Sequence, residues 1–223
     1  MGAALHTEHI AKCFKIPGRE DFYALKDINI EIPEGKLAIL KGRSGSGKTT
    51  LLNILSALDA PSKGEVWFGG ERLSQLGEKQ KENLRRQKMG FVFQSVALIP
   101  VMSAYENMEF ALRLSGYEGN HDVRIRELME RVGLSKRMHH MANQLSGGEQ
   151  QRVAIARAVG HHPSVIFADE PTGALDTEAG LAVVRLFKEL VAEENTTVLM
   201  TTHDPNLMEL GDIVYEIADG SIL

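Results

Sequence analysis

The stretch that decides the fold of this chain reads Gly42-Arg43-Ser44-Gly45-Ser46-Gly47-Lys48-Thr49. It satisfies the pattern G-x-x-x-x-G-K-[ST] and lies between an apolar segment, 36–41, and a segment with helical spacing, 48–58. Glycines at these positions let the backbone curl so that successive N–H groups face inward, and the following helix directs its positive end at the same point. The stretch therefore predicts a phosphate-binding loop, in which Lys48 meets the β- and γ-phosphate oxygens of a nucleotide.

Strands and helices alternate along the rest of the chain. Apolar segments 165–169 and 196–202 predict two more buried strands, and segments 149–159 and 177–194 have helical spacing. Such alternation is typical of an α/β fold with a mainly parallel sheet, whose ligands bind at the carboxyl ends of the strands.

Three further segments depart from this alternation. Residues 25–32 alternate between apolar and polar, which predicts a half-exposed antiparallel strand in a small N-terminal β-region. Residues 103–159 have a helical pattern, which predicts a helical subdomain inserted into the α/β core. The charged segment 77–88 predicts a solvated surface helix.

Length and composition limit the number of domains, the kinds of partner and the cellular compartment that are possible. The 223 residues suffice for one or two domains. The 25 basic and 30 acidic side chains give a net charge of −5, and this acidic balance argues against a general nucleic-acid binder. The single cysteine, Cys13, cannot form an internal disulfide and favours a reducing compartment. We expect no export signal at the N-terminus, and the longest apolar runs are far shorter than a bilayer span.

Two carboxylates and a histidine follow the predicted strands. Asp169 and Glu170 end one strand, where Asp169 suits a Mg²⁺ shell shared with the Thr49 hydroxyl and Glu170 suits the orientation of an attacking water. The alternative is that these acids simply end a strand in a wet loop. His203 ends the next strand and is expected to face the same crevice. We predict surface or loop positions for five other histidines: His121, His139, His140, His161 and His162.

A second glycine motif narrows the class of nucleotide-binding protein that the sequence predicts. Leu145-Ser146-Gly147-Gly148-Glu149-Gln150-Gln151-Arg152 places two glycines before a helix, which predicts another backbone anion site with Ser146 at its mouth. This segment resembles the signature sequence of ATP-binding-cassette (ABC) ATPases. In that family the two phosphate-binding devices hold one γ-phosphate from opposite protomers. The resemblance therefore implies a second copy of the chain as a partner, with each ATP held between 42–49 of one copy and Ser146–Gly148 of the other.

The resemblance extends over nearly the whole chain and implies further roles. Phe14 stands where the family carries an adenine-stacking aromatic, although Phe22 or Tyr23 are alternatives, and Gln94 matches the glutamine that touches Mg²⁺ and senses the membrane partner. Ala174-Leu175-Asp176 matches the loop that crosses the dimer interface, and His203 matches the switch histidine at the γ-phosphate.

The predicted site thus has three groups of residues. The catalytic residues are Glu170, His203 and Lys48, and the Mg²⁺ ligands are Thr49, Gln94 and Asp169. The nucleotide-contacting residues are Phe14, Gly42, Arg43, Ser44, Gly45, Ser46, Gly47, Lys48, Thr49, Thr50, Gln94, Ser146, Gly147, Gly148, Glu149, Asp169 and Asp176.

Within ABC ATPases the chain is similar to the group of macrolide exporters, lipoprotein-releasing ATPases and antimicrobial-peptide resistance transporters. The similarity lies in Phe93-Gln94-Ser95, Leu98-Ile99-Pro100, Ala104-Tyr105-Glu106-Asn107 and residues 167–176. It implies the ABC ATPase fold as one domain over 1–223, with an α/β core in 1–94 and 160–223 and a helical subdomain in 95–159.

The function that follows is an ATP-hydrolysing subunit of a bacterial ABC transporter. It would drive a separate integral membrane permease from the cytoplasmic face of the membrane, in export or extraction of a hydrophobic compound, peptide or lipoprotein, without a nucleic-acid partner. One alternative is a soluble ABC ATPase acting on DNA or ribosomes, which would share every nucleotide motif. Another is a P-loop kinase, for which the signature segment would be accidental.

Overall fold

The computed structural model describes residues 2–15, 17–18, 20–173 and 175–223. Its strands are β1 Ala3–Phe14, β2 Phe22–Ile28, β3 Glu31–Pro33, β4 Leu37–Lys41, β5 Lys63–Phe68, β6 Glu71–Arg72, β7 Met89–Val92, β8 Val165–Ala168, β9 Thr197–Thr202, β10 Ile213–Ala218 and β11 Ser221–Ile222. Its α-helices are α1 Lys48–Leu55, α2 Glu78–Lys88, α3 Ala104–Ser115, α4 His121–Arg131, α5 Gly147–Val159, α6 Thr177–Glu194 and α7 Pro205–Met208.

A six-stranded sheet forms the centre of the α/β core. Its order is β11-β10-β4-β9-β8-β7, and every neighbouring pair is parallel except β10 with β11. Strands β4, β8 and β9 are buried along almost their whole length, and β4 and β8 are mainly apolar, which is the usual pattern of a parallel sheet covered by helices. The carboxyl ends of these three adjacent strands lie side by side, as the α/β prediction requires.

The N-terminal β-region is a five-stranded antiparallel sheet, in the order β2-β1-β5-β6 with β3 also paired to β1. The prediction of one continuous strand over 25–32 was wrong, because the structure divides that segment between β2 and β3. Asp27 has a φ of 53°, and its partner strand carries His9 at φ 51° within an irregular register. These left-handed residues bend the strands, and sequence alternation cannot show such a break.

Helices cover the regions that the sequence predicted. Helix α2 has no buried residue, as expected for a solvated helix, and α3, α4 and α5 occupy the predicted helical region.

Of the five histidines expected at the surface or in loops, His139 and His162 are exposed, whereas His121, His140 and His161 are half-buried. Burial lowers the pKa of His161. Within the described chain, no helix is long and apolar enough to cross a bilayer.

Two apolar clusters lie on the central sheet. One cluster packs α1 and the antiparallel sheet together, with Leu5, Leu51 and Phe167 among its fully buried side chains. The other joins α3, α4, α5 and α6 with Ile39 and Met200. The helical region therefore packs directly into the core of the sheet.

Candidate nucleotide-binding site

The loop 42–47 connects β4 to α1 at the carboxyl edge of the sheet. Gly45 and Gly47 have φ values of 79° and 110°, in the region that favours glycine. A Cβ on Gly47 would lie 2.7 Å from the carbonyl oxygen of Ala24. Because α1 begins at Lys48, the loop amides and the positive end of the helix point to the same position, which is the arrangement that binds phosphate.

Lys48 is buried beneath this loop, at 6% exposure. Its Nζ donates hydrogen bonds to the carbonyl oxygens of Gly42 at 2.8 Å and Arg43 at 3.0 Å. The ammonium group is therefore held at the loop, where its charge is available to a phosphate oxygen.

Asp169 lies at the end of β8 and is almost fully buried, at 8% exposure. Its Oδ2 accepts a hydrogen bond from Thr49 Oγ1 at 2.8 Å, and its Oδ1 accepts one from Thr201 Oγ1 at 2.7 Å. Within the described residues no three His, Cys, Asp or Glu side chains form a metal cluster. One carboxylate beside one hydroxyl fits Mg²⁺, which takes its remaining ligands from nucleotide phosphates and water.

Glu170 follows Asp169 in a left-handed conformation, with φ of 44°. Its backbone N–H donates to Thr201 Oγ1 at 2.8 Å, so the Thr201 hydroxyl fixes both acidic residues. The Glu170 carboxylate lies 3.4 Å from Gln94 Nε2 and 3.6 Å from His203 Nδ1. The structure thus brings together Gln94, Glu170 and His203, as predicted from the sequence. Thr201 was missed as a site residue, although a threonine at the carboxyl end of a buried strand, two positions before His203, is a signal that could have found it.

A cleft of about 680 Å³ opens over these groups. It is lined by Phe14, Phe22, Ala24, Arg43, Ser44, Gly45, Gly47, Lys48, Thr49, Thr50, Gln94, Glu170 and His203. Asp169 lies beneath it through its bond to Thr49. The predicted residues Gly42, Ser46, Ser146, Gly147, Gly148, Glu149 and Asp176 do not line this cleft.

Two phenylalanines form the aromatic side of the cleft. Phe14 and Phe22 are paired across β1 and β2, and both are unusually exposed for phenylalanine, at 43% and 53%. Lys12 Nζ lies 5.3 Å from the centre of the Phe14 ring. Tyr23, the third aromatic considered, does not line the cleft.

The signature segment forms the start of α5. Ser146 is the N-cap: its Oγ accepts a hydrogen bond from Glu149 N at 3.2 Å, and its own N–H donates to Glu149 Oε2 at 2.8 Å. The bond from the Ser146 N–H lowers the pKa of Glu149. This capping box fixes Glu149, and it leaves Ser146 and Gly147 exposed at the positive end of a helix.

Asp176 has a local structural role. Its side chain accepts a hydrogen bond from Ala179 N at 2.8 Å and caps α6. It lines a separate cleft of about 180 Å³, together with Leu175 and His203. Ala174, the first residue of the predicted interface loop, lies outside the described residues.

A phosphate-binding loop, a buried carboxylate beside its threonine and a glutamate directly after that carboxylate define a P-loop nucleotide hydrolase. The family model described as ABC transporter matches residues 25–173, and the chain belongs to that family. It is an ABC transporter ATP-binding subunit, which binds and hydrolyses ATP.

Its relatives include proteins named for macrolide export and for lipoprotein release. It is 42% identical to the ABC transporter ATP-binding protein MJ0796 of Methanocaldococcus jannaschii, over 98% of this chain and 94% of that protein. It is 43% identical to the macrolide export ATP-binding/permease protein MacB of Bartonella henselae, over 99% of this chain and 33% of that protein. It is 41% identical to the lipoprotein-releasing system ATP-binding protein LolD 2 of Rhodopirellula baltica, over 88% of this chain and 80% of that protein.

The fold agrees with a solved member of the family. A dimeric post-hydrolysis structure of MJ0796 bound to ADP and Pi has a TM-score of 0.91 and 40% identity, covering 98% of this chain and 96% of that one. The family predicted from the signature segment and the ABC ATPase fold are therefore confirmed.

Proposed function

We propose that two copies of this chain close around two ATP molecules and drive a membrane permease. The observation that carries the proposal is the separation of two predicted anion sites: most residues of 42–49 line the cleft, and Ser146 at the start of α5 does not. A second copy would bring its Ser146 to the open side of the cleft. The dimeric structure of MJ0796, 40% identical to this chain, supports this arrangement.

Hydrolysis is assigned to three residues around the γ-phosphate. Lys48 would exchange the Gly42 and Arg43 carbonyls for phosphate oxygens and stabilise their charge. Glu170, held at its backbone by Thr201, would orient the attacking water and accept its proton. His203, 3.6 Å from Glu170, would donate a hydrogen bond to the phosphoryl group as charge develops.

The oxygen donors at the cleft suit Mg²⁺. Thr49 and Asp169, already joined at 2.8 Å, are the residues that would hold it, with the Gln94 side-chain oxygen as a third ligand. When bound with the nucleotide, Mg²⁺ neutralises charge on the β- and γ-phosphate oxygens. Thr201 keeps the Asp169 carboxylate oriented for this contact.

Closure of the dimer would supply the mechanical step. ATP contacts Ser146 of the opposite copy only in the closed state, so its binding biases the equilibrium toward closure, and loss of the γ-phosphate releases it. We place the permease contact around 94–105 and the helical subdomain 95–159, in a single domain spanning 1–223. The protein would act at the cytoplasmic face of the membrane.

The similarity to MacB and LolD supports export or extraction of a hydrophobic compound, peptide or lipoprotein. The family match and the transporter names of these relatives favour this function over a DNA- or ribosome-acting ATPase. Co-purification from native membranes tests it: a partner with several hydrophobic spans is expected, and a ribosomal or DNA-associated partner would refute it.

Glu170→Gln tests the catalytic assignment. Hydrolysis is expected to fall by at least about 100-fold, because the amide cannot accept the proton of the water. ATP binding is retained, so a nucleotide-bound dimer accumulates in size-exclusion chromatography. The matched control is Glu82→Gln on the exposed helix α2, which leaves turnover unchanged. Near-normal turnover of Glu170→Gln would contradict the assignment.

A further inference from the structure

Arg157, near the end of α5, holds the loop that carries Gln94. Its Nη1 donates a hydrogen bond to the carbonyl oxygen of Ala97 at 2.7 Å, across 60 positions of sequence. Ala97 lies three residues after Gln94, whose side chain contacts Glu170. Arg157 itself does not line the nucleotide cleft.

Apart from Leu98, which packs against the apolar cluster of the helical region, the loop is held by few contacts. Within the described residues, the backbone of 94–98 makes no backbone–backbone hydrogen bond, and the bond from Arg157 is its one contact with a side-chain donor. Ala97 has a φ of 48°, a left-handed conformation that persists in an alanine only where the surroundings fix it. The hydrogen bond from Arg157 is such a constraint.

Asn107 anchors the segment that follows. Its buried side chain accepts from Ile99 N at 2.8 Å and donates to the carbonyl oxygen of Ser103 at 2.9 Å. Both Asn107 on α3 and Arg157 on α5 belong to the helical region, and α3 packs directly against α5. The loop after Gln94 therefore leaves the sheet at β7 and is hydrogen-bonded to the helices α3 and α5.

The environment of Arg157 agrees with a specific role for this bond. The side chain is half-buried, and among the described residues it forms no ion pair. Burial lowers the pKa of its guanidinium. A charged donor makes a stronger hydrogen bond to a carbonyl than a neutral donor does, and the 2.7 Å distance to Ala97 agrees with such a bond.

Helix α5 connects the signature segment, at Ser146, to Arg157, which holds the loop after Gln94. Ser146 at its start and Arg157 near its end are separated by eleven residues, which is about 16 Å of helix. In the proposed dimer Ser146 faces the nucleotide of the partner, whereas Gln94 faces the nucleotide of its own chain. A rigid displacement of α5 would carry Arg157 with it and would reach Ala97 through their hydrogen bond.

We propose that Arg157 is a positioning residue for Gln94: by holding Ala97, it makes the position of Gln94 follow the engagement of the partner's ATP at Ser146. This inference rests on the shared-site dimer proposed above. It assigns Arg157 to communication between the two ATP sites.

The test follows the loop with a spin label. Cys13 is the single cysteine of the chain, so Cys13→Ser with Ser95→Cys places one nitroxide beside Gln94 at an exposed position. In the Glu170→Gln background, MgATP is expected to change the label's spectrum as the dimer forms. Arg157→Met is expected to increase the label's mobility and to abolish this change, while ATP-dependent dimerisation is retained.

Kinetics give a second readout in the hydrolysing protein. Arg157→Met is expected to lower kcat about tenfold while the KM for ATP changes less than about twofold, since the lost bond acts on Gln94 and not on nucleotide binding. Arg157→Lys keeps a charged donor and should restore part of kcat and part of the label's immobility. Unchanged mobility and kcat in Arg157→Met would overturn the proposal.

Arg85→Met is the matched control. Arg85 on α2 also donates one 2.7 Å bond, to the carbonyl oxygen of Ala57, which has a similar φ of 56°. Its loss should leave the label and kcat unchanged. Should Arg157→Met fail to fold in a thermal melt, Arg157→Gln, which is shorter and uncharged, carries the test with the same expected outcomes, and a label as immobile as in the parent overturns the proposal.

The two proposals fail separately. If the Glu170→Gln parent forms no dimer with MgATP, the shared-site function is wrong. If the parent dimerises and responds but Arg157→Met responds equally, only the role of Arg157 is wrong.

Discussion

The buried hydroxyl of Thr201 donates a hydrogen bond to Asp169 Oδ1 at 2.7 Å. The same oxygen accepts the backbone N–H of Glu170 at 2.8 Å. One threonine of β9 therefore orients the carboxylate proposed for Mg²⁺ and the backbone of the residue proposed to position water.

Thr201→Val should separate these roles from nucleotide binding. The change keeps the shape of the side chain and removes both hydrogen bonds, one of them to a charged group, so kcat is expected to fall about 10- to 100-fold. Steady-state ATPase assays and equilibrium ATP binding measure the two effects. Thr201→Ser, which retains the hydroxyl, should recover most of kcat; equal loss in both variants would show that the hydroxyl is not responsible.

Lys48→Ala should weaken ATP binding itself. Removing the buried ammonium takes away a charged donor to the phosphates, which is expected to lower ATP affinity about 30-fold or more. Isothermal titration with ATP provides the measurement. The control is Lys26→Ala, an exposed lysine of β2 outside the cleft. Unchanged affinity in Lys48→Ala would refute the phosphate-binding assignment of the loop.

Phe14 is predicted to stack on adenine. Phe14→Ala should lower ATP affinity about tenfold, in line with the usual value of base–aromatic stacking, and should leave tripolyphosphate affinity unchanged. Phe22→Ala is the direct comparison, because Phe22 pairs with Phe14 and lines the same cleft. A larger loss in Phe22→Ala would transfer the adenine contact to Phe22, and Tyr23→Ala should have no effect.

Mixed dimers test whether the ATP sites are shared. Lys48→Ala disables the loop, and Ser146→Arg blocks the signature segment. With the two changes on different chains, one site built from intact halves remains, and activity is expected. With both changes on one chain and a wild-type partner, each site contains one defect, and activity should be lost. The opposite ranking would mean that each site lies within a single chain.

The sequence predicted the elements that depend on local pattern. Segment 177–194 coincides with α6, because its apolar residues follow helical spacing and Asp176 provides the N-cap. The predicted strand over 25–32 failed because the interruption depends on φ at Asp27 and its pairing with β1, which are properties of the assembled sheet.

In the candidate site, too, the residues that belong to a local sequence pattern were predicted, and those that depend on tertiary contacts were missed. The glycine motif located Lys48 and Thr49, and strand ends located Glu170 and His203, all of which line the cleft. The roles of Thr201 and Arg157 depend on contacts between β9 and β8 and between α5 and the loop after Gln94, which no local pattern contains.

The helices α3 to α5 share one apolar cluster with side chains of the central sheet, including Ile39 and Met200. An exchange of residues 95–159 between relatives would therefore place foreign helices on this sheet face, where a mismatch in volume costs stability. Chimaeras designed to change the proposed permease partner would need compensating substitutions in β4 and β9. Evolution of a new partner is expected to proceed through exposed residues such as Phe110 and Leu114 on α3, because these can change without repacking the core.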